Sequence, residues 1–290
     1  MNIFETLLNG LSMGSTYAMI ALGYTMVYGI AKMLNFAHGD VIMVGGYMIF
    51  LTMASVGNPI LGLAIAVVFC MLLGITIEKV AYKPLRGASP LAVLITAIGV
   101  SYLLQSTAQM IFGSAPKMVI VADLGNVMLG SIKLPVYTLV TLGCSFAIMI
   151  ALSLFVKYTK IGRAMIAVSE DKGAAQLMGI NVNGIITITF AIGSALAAFA
   201  GFFMLLKSPS LTNTLGAMPG IKAFTAAVIG GIGSIPGAML GGILMGVVEA
   251  ISLTIPAIAP YTDAIEFSIL IIILLVRPSG ILGKKRREKV

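Results

Sequence analysis

The chain has 290 residues, 59% of them hydrophobic and only 10% charged, with a mean hydropathy of +1.08. Soluble domains carry roughly a quarter charged residues, so a water-soluble fold is excluded for want of polar surface, and no stretch remains for a separate catalytic domain. The net charge of +8 is no nucleic-acid footprint: Lys79–Arg86, Lys157–Lys172 and Arg277–Lys289 hold 13 of the 18 basic residues, which is how cytoplasmic segments of membrane proteins are charged. With Lys32 placed on that side, Lys117, Lys133, Lys207 and Lys222 are left outside. The expected fold is an all-α polytopic membrane protein, one domain over residues 1–290, with eight or nine transmembrane helices and the carboxyl terminus inside.

In chain order, the first span is predicted between Glu5 and Lys32, with Gly10, Gly14 and Ala18 forming a small-residue stripe that admits another helix. It follows no basic n-region and is too long for a signal peptide, so it is expected to be retained. Asp40–Glu78 is long enough for two spans, divided at Gly57-Asn58-Pro59, where proline cannot continue a helix. A basic inner loop over Glu78–Gly87 leads to a span at Leu91–Phe112, and Gly113–Lys133 is a less apolar outer segment with room for a short strand or helix. Leu134–Val156 and Gly184–Leu206 are further spans, the second with Gly193, Ala197 and Gly201 four apart. The region 223–236 is glycine-heavy, and its apolar run is too short for an ordinary span, so a broken or re-entrant helix is expected there. Gly237 with Gly241, and Gly242 with Gly246, offer two close-packing faces, and Asp263–Val276 is the last crossing. Cys70 and Cys144 lie in apolar runs and read as small core residues, with no disulfide or metal pair.

Two interruptions stand out as candidate sites. The segment 34–40 breaks the apolar sequence after the first span and carries Asn35, the chain's single His38, and Asp40. As a discontinuous helix it would face protein or a water-filled cavity and mark the substrate pathway; the alternative is a plain inner loop. The second is Lys157–Asn183, the densest internal cluster of charge. Within it a short helix is expected from Ser169 to Gly179, with Ser169 as its cap, Glu170 and Asp171 in its first turn, and Gly179 as its left-handed end. Ala174, Ala175, Leu177 and Met178 supply a small apolar face, which either docks against a partner or rests on headgroups. Glu249 within its apolar helix is either a pathway or proton residue or lies near the outer interface, where Asp263 and Glu266 are also expected. No G-x-x-x-x-G-K-[ST] loop is present, and one histidine leaves little for acid–base chemistry.

Gly173-Ala174-Ala175-Gln176-Leu177-Met178-Gly179 resembles the EAA-x-x-x-G coupling loop of ATP-binding-cassette (ABC) importer permeases, with Gly173 where the motif has Glu. RAMIAVSEDKGAAQLMGINV around it, YTMVYGIAKMLNFAHGD, GSTYAMIALGY, AAVIGGIGSIPGAMLGG and VRPSGILG are similar to permeases of the branched-chain amino-acid class, in patches across nearly the whole chain. The resemblance implies a non-enzymatic permease subunit without cofactor, in the bacterial cytoplasmic membrane. Its implied partners are ATP-binding cassette subunits, a second related permease and an external solute-binding protein. It makes Ser169, Glu170, Asp171, Ala174, Ala175 and Gly179 the ATPase-coupling residues. Urea or short amides as cargo, and a secondary transporter or channel working without ATP, are the alternatives.

Overall fold

The computed structural model describes residues 3–122, 124–129 and 132–283; the basic tail from Lys284, assigned to the inside above, lies outside them. Eleven α-helices account for most of the described chain: α1 (Ile3–Ala31), α2 (His38–Ser55), α3 (Pro59–Ile77), α4 (Pro90–Phe112), α5 (Val136–Tyr158), α6 (Lys160–Glu170), α7 (Lys172–Leu177), α8 (Val182–Lys207), α9 (Ala217–Gly230), α10 (Ile235–Thr254) and α11 (Thr262–Val276). A π turn over Glu78–Tyr82 and a 3-10 turn over Lys83–Leu85 extend α3. The outer segments pair as two antiparallel ribbons, β1 (Lys117–Met118) with β4 (Ser210–Leu211), and β2 (Asn126–Leu129) with β3 (Ile132–Pro135).

Local chemistry sets the helix starts. Asn58 accepts bonds from the amides of Ile60 and Leu61, with Pro59 opening α3, and Ser89 accepts one from Ala92 before Pro90 opens α4. Ser234 does the same for α10 through the Gly237 amide. Proline costs nothing at these positions because the first-turn amide has no intrahelical partner.

Helix α1 is the axis of the bundle. Every residue from Gly14 to Val27 is buried, and α10, α8, α9 and α5 pack around it. Glycines set how close they come. A side chain on Gly246 would fall on the backbone of Gly14, and one on Gly242 on that of Ala18. Gly237 and Gly241 face the other way, against Gly230 and Ala226 of α9. On α8, Gly193 sits over Gly23 of α1, while a methyl group on Gly201 would stand 2.8 Å from the Ile42 carbonyl of α2. The four small-residue sets expected from spacing, on α1, α8 and α10, are thus all helix–helix contacts.

Six segments are long and apolar enough to cross a membrane, and α9 is a shorter apolar helix. That is fewer than the expected eight or nine crossings. Helices α1 and α2 drop out because Gly, Ser, Thr, His and Asp dilute their apolarity, and these residues face protein. Cys70 is buried as expected, but Cys144 is exposed on the outer face of α5, where an apolar run meets surroundings other than the protein core.

Helix α9, the expected short segment, starts earlier than anticipated and ends at Gly231, whose φ of +108° turns the chain towards α10. At 14 residues it reaches about 21 Å, short of the roughly 30 Å of hydrocarbon. Lys222 therefore lies in a buried helix rather than an outer loop. Its Nζ stands 2.9 Å from Glu249 Oε1 of α10, 2.9 Å from Asp263 Oδ1 and 3.2 Å from Glu266 Oε2 of α11. Asp263 is half exposed, and Glu249 and Glu266 are buried in protein. Three acids from α10 and α11 thus converge on one cation of α9.

Two outcomes follow. Gly246→Leu should separate α1 from α10 and abolish accumulation of folded protein in the membrane, whereas Gly99→Leu, at a glycine with open space around it, should leave accumulation unchanged. Lys222→Met leaves buried carboxylates without their cation and should cost about 3–5 kcal/mol, read as a lowered unfolding midpoint in detergent; Lys222→Arg should retain most of the stability.

Candidate transport site and coupling surface

Helix α1 ends at Ala31, and Lys32 takes a left-handed φ of +60°, reversing the chain while its Nζ bonds the Gly29 carbonyl. Residues 32–37 are not helical. By His38 the chain is level with Gly23, because the His38 ring occupies the space that a side chain on Gly23 would need. Gly23 lies eight residues back along α1, about 12 Å, so α2 begins inside the bundle rather than at its edge.

Asn35, His38 and Asp40 are 4%, 2% and 2% exposed, and each holds a different element. Asn35 Oδ1 accepts from the Tyr82 hydroxyl on the π turn at 2.9 Å. The His38 ring meets Tyr24 of α1 edge-on, with centroids 4.8 Å apart. Asp40 accepts from Gln105 Nε2 of α4 at 2.8 Å and sits in the first turn of α2, where the helix dipole favours its charge. The crevice beside Asn35, bounded by Tyr24, Tyr28 and Phe224, has no room for a water molecule. The three residues are brought together as a packed junction.

An open cavity of about 220 Å³ lies between α1, α5, α8 and the start of α9. Ser12, Thr16 and Tyr17 form one wall, Tyr137 and Thr141 another, and Lys207 is at the end of α8. Tyr17 also faces Glu249, which places the Lys222 ion cluster directly behind the wall. Sequence reading missed this cavity because four separate helices build it and none carries a local motif. The one available signal was Lys222, Glu249, Asp263 and Glu266 as charges in apolar surroundings.

At the other end, Arg86 bonds Asn183 and Glu78, and Lys172 Nζ donates to the Ala31 carbonyl at 2.8 Å. The basic stretches around Lys79–Arg86 and Lys157–Lys172 therefore share one face of the bundle. Between α5 and α8 the charged connection folds as two helices, not one. Thr159 caps α6 through the Gly162 amide at 3.0 Å, and Asp171 caps α7 through the Ala174 amide at 3.0 Å. Ser169 is not a cap: it lies in the last turn of α6, its Oγ donating to the Ile166 carbonyl at 2.7 Å, and Glu170 is the last residue of that helix. Burial of Gly162, Met165 and Val168 explains this, since an amphipathic α6 with one face on the bundle uses up Ser169 and leaves aspartate, an equally good cap, to start α7.

Gly179 ends α7 as expected, with φ +82°. Its amide bonds the Gln176 carbonyl, and the Ile180 amide reaches back to Ala175, the paired bonds of a Schellman end. The apolar face divides, however. Ala175 is buried against its own chain, whereas Ala174, Leu177 and Met178 point outward, Leu177 being 91% and Met178 83% exposed. Helix α7 thus offers two large apolar side chains on a charged face, held by caps at both ends.

The family model described as branched-chain amino acid transport system / permease component matches residues 6–274. The high-affinity branched-chain amino acid transport system permease protein BraD of Pseudomonas aeruginosa is 43% identical over 300 residues, covering 99% of this chain and 97% of its own. LivH of Escherichia coli K12, a permease protein of the same description, is 42% identical with the same coverage. The ribose import permease protein RbsC of Haemophilus influenzae is 28% identical over 97% of this chain and 87% of its own. By the extent of these matches, the chain belongs to the family of branched-chain amino acid transport system permease components.

Proposed function

We propose that this chain is the membrane-spanning subunit of an ATP-driven importer for branched-chain or similarly apolar amino acids in a bacterial cytoplasmic membrane. Hydrolysis takes place on separate ATP-binding cassette subunits, and a second related permease and an external solute-binding protein complete the assembly. The observation that carries the reading is the exposed Leu177–Met178 pair on doubly capped α7, beside the Lys172 bond to the end of α1. Six-residue helices are unstable alone in water; caps at both ends and packing on α6 and α8 hold this one, which leaves Leu177 and Met178 for a partner.

In this reading α7 seats in a groove of the ATPase subunit, with the cytoplasm on the side of Lys79–Arg86 and Lys157–Lys172. ATP binding biases the assembly only through different affinity for its two states. Movement of α7 passes through Lys172 to the end of α1 and thence to the Asn35–Asp40 junction, the closed part of the pathway. The 220 Å³ cavity is its open outer part. Nine crossings follow if α1, α2 and α9 are counted with the six long apolar segments.

Leu177→Asp should lower substrate-stimulated ATP hydrolysis of the reconstituted complex about tenfold, since burying a leucine is worth about 1.5–3 kcal/mol. Unchanged stimulation would contradict the docking role. At the junction, Asp40→Ala removes the acceptor for Gln105, a charged hydrogen bond worth about 1.5–3 kcal/mol. Uptake of labelled leucine should fall about tenfold while the subunits still copurify. Normal uptake would leave Asp40 a purely structural residue, and uptake of labelled urea in place of leucine would change the cargo.

A further inference from the structure

A second, larger cavity of about 530 Å³ lies at the charged end of the bundle, between the end of α1, the start of α4, α7 and the start of α8. Its lining divides by chemistry. Lys32, Arg86 and Lys172 supply cationic groups, and Val93, Leu94 and Ile186 supply apolar ones. No Asp or Glu is among its described lining residues. Of the carboxylates near it, Glu78 is fully buried and turned to Arg86 and Thr187, and Asp171 caps α7 through the Ala174 amide. Burial and the neighbouring Arg86 charge hold the Lys172 ammonium below the usual lysine range; like charges face one another here across open space.

Depth fixes what kind of anion fits. Ala31, Leu85, Pro90 and Val182 are helix ends or lie beside them, and all four line the cavity. Four helix ends at one level mark the boundary between hydrocarbon and water, so the cations lie at headgroup depth and the apolar groups at the edge of the hydrocarbon. A zwitterionic amino acid would bring an ammonium group to a wall of cations with no lining carboxylate to receive it. A phosphodiester with an acyl chain leaves neither end unmatched. We propose that this cavity binds an anionic phospholipid of the inner leaflet, its phosphate among Lys32, Arg86 and Lys172 and an acyl chain along Val93, Leu94 and Ile186. Basic pockets between spans on the cytoplasmic side have the charge for such headgroups. The site stands independently of what docks on α7, although Lys172 belongs to both.

The test is lipid retention by the purified full-length chain with its copurifying subunits, read by native mass spectrometry after exchange into detergent holding equal phosphatidylglycerol and phosphatidylcholine. The wild type should retain phosphatidylglycerol at one per chain and in about tenfold preference. A basic residue near anionic lipid contributes about fivefold, so Lys172→Gln should cut the preference by that factor and Lys172→Arg should restore it. Leu94→Glu leaves α7 untouched, places a carboxylate in the wall, and should abolish retention. Equal retention of both lipids, or phosphatidylglycerol retained undiminished by Lys172→Gln and Leu94→Glu, overturns the proposal. Displacement of the bound lipid by millimolar inorganic phosphate or by leucine also overturns it, the first marking a free-anion site and the second a substrate site. Leucine uptake failing in a chain that still selects phosphatidylglycerol would count against the transport reading alone.

Discussion

Backbone-to-backbone contact along α1 is the constraint on which the bundle depends. Inside a membrane, helices gain little hydrophobic drive by associating, because lipid tails are as apolar as leucine. What remains is van der Waals contact, and that is largest where glycine lets two backbones meet. Gly14 against Gly246, Ala18 against Gly242 and Gly23 against Gly193 place such contacts at successive depths on one helix. Helix α1 can then afford serine and threonine along its length, since Ser15 and Thr16 both bond the Ser12 carbonyl within the helix. The same burial explains why α1 is not among the six long apolar segments although it is the longest helix.

Two segments depart from straight crossings, and each depends on that axis. The chain after α1 turns back along it, which is possible because Gly23 leaves room for the His38 ring. Helix α9 starts partway, beside Gly39 of α2, and is held by Gly230 and Ala226 against α10 and by the ion pairs of Lys222. Buried ion pairs contribute little net stability in general, but losing one partner is severe. They therefore act here as positioning devices, fixing α9 and α11 on α10. The 220 Å³ cavity takes its wall from this arrangement, and the charged face at the opposite end takes its order from Lys172 on Ala31.

Much of this was legible in the sequence where the signal is local. Asn58-Pro59 announces the divide between two spans, four-residue glycine spacing announces close contacts, and Gly179 announces a helix end, because each rests on the chemistry of one or two residues. The 34–40 break was visible as polar residues in an apolar run. What was misread depends on distant partners. Ser169 and Asp171 are both good caps, and only the packing of Met165 and Val168 on the bundle decides between them. Ala175 and Leu177 look equivalent until a neighbouring helix buries one and leaves the other exposed. Lys222 is 27 residues from Glu249 and 44 from Glu266, so nothing in the spacing joins them; α9 folding back on α10 does.

The central claim is that α7 is the contact through which an ATP-hydrolysing partner moves this subunit. A photo-crosslinking residue placed at Leu177 tests it most directly, with the chain expressed at native level and irradiated in intact membranes. The account predicts a single major adduct, to a copurifying subunit that binds ATP, with yield changing between nucleotide-free and ATP-bound preparations. Adducts to phospholipid alone, in either nucleotide state, would contradict it and return α7 to a helix resting on headgroups.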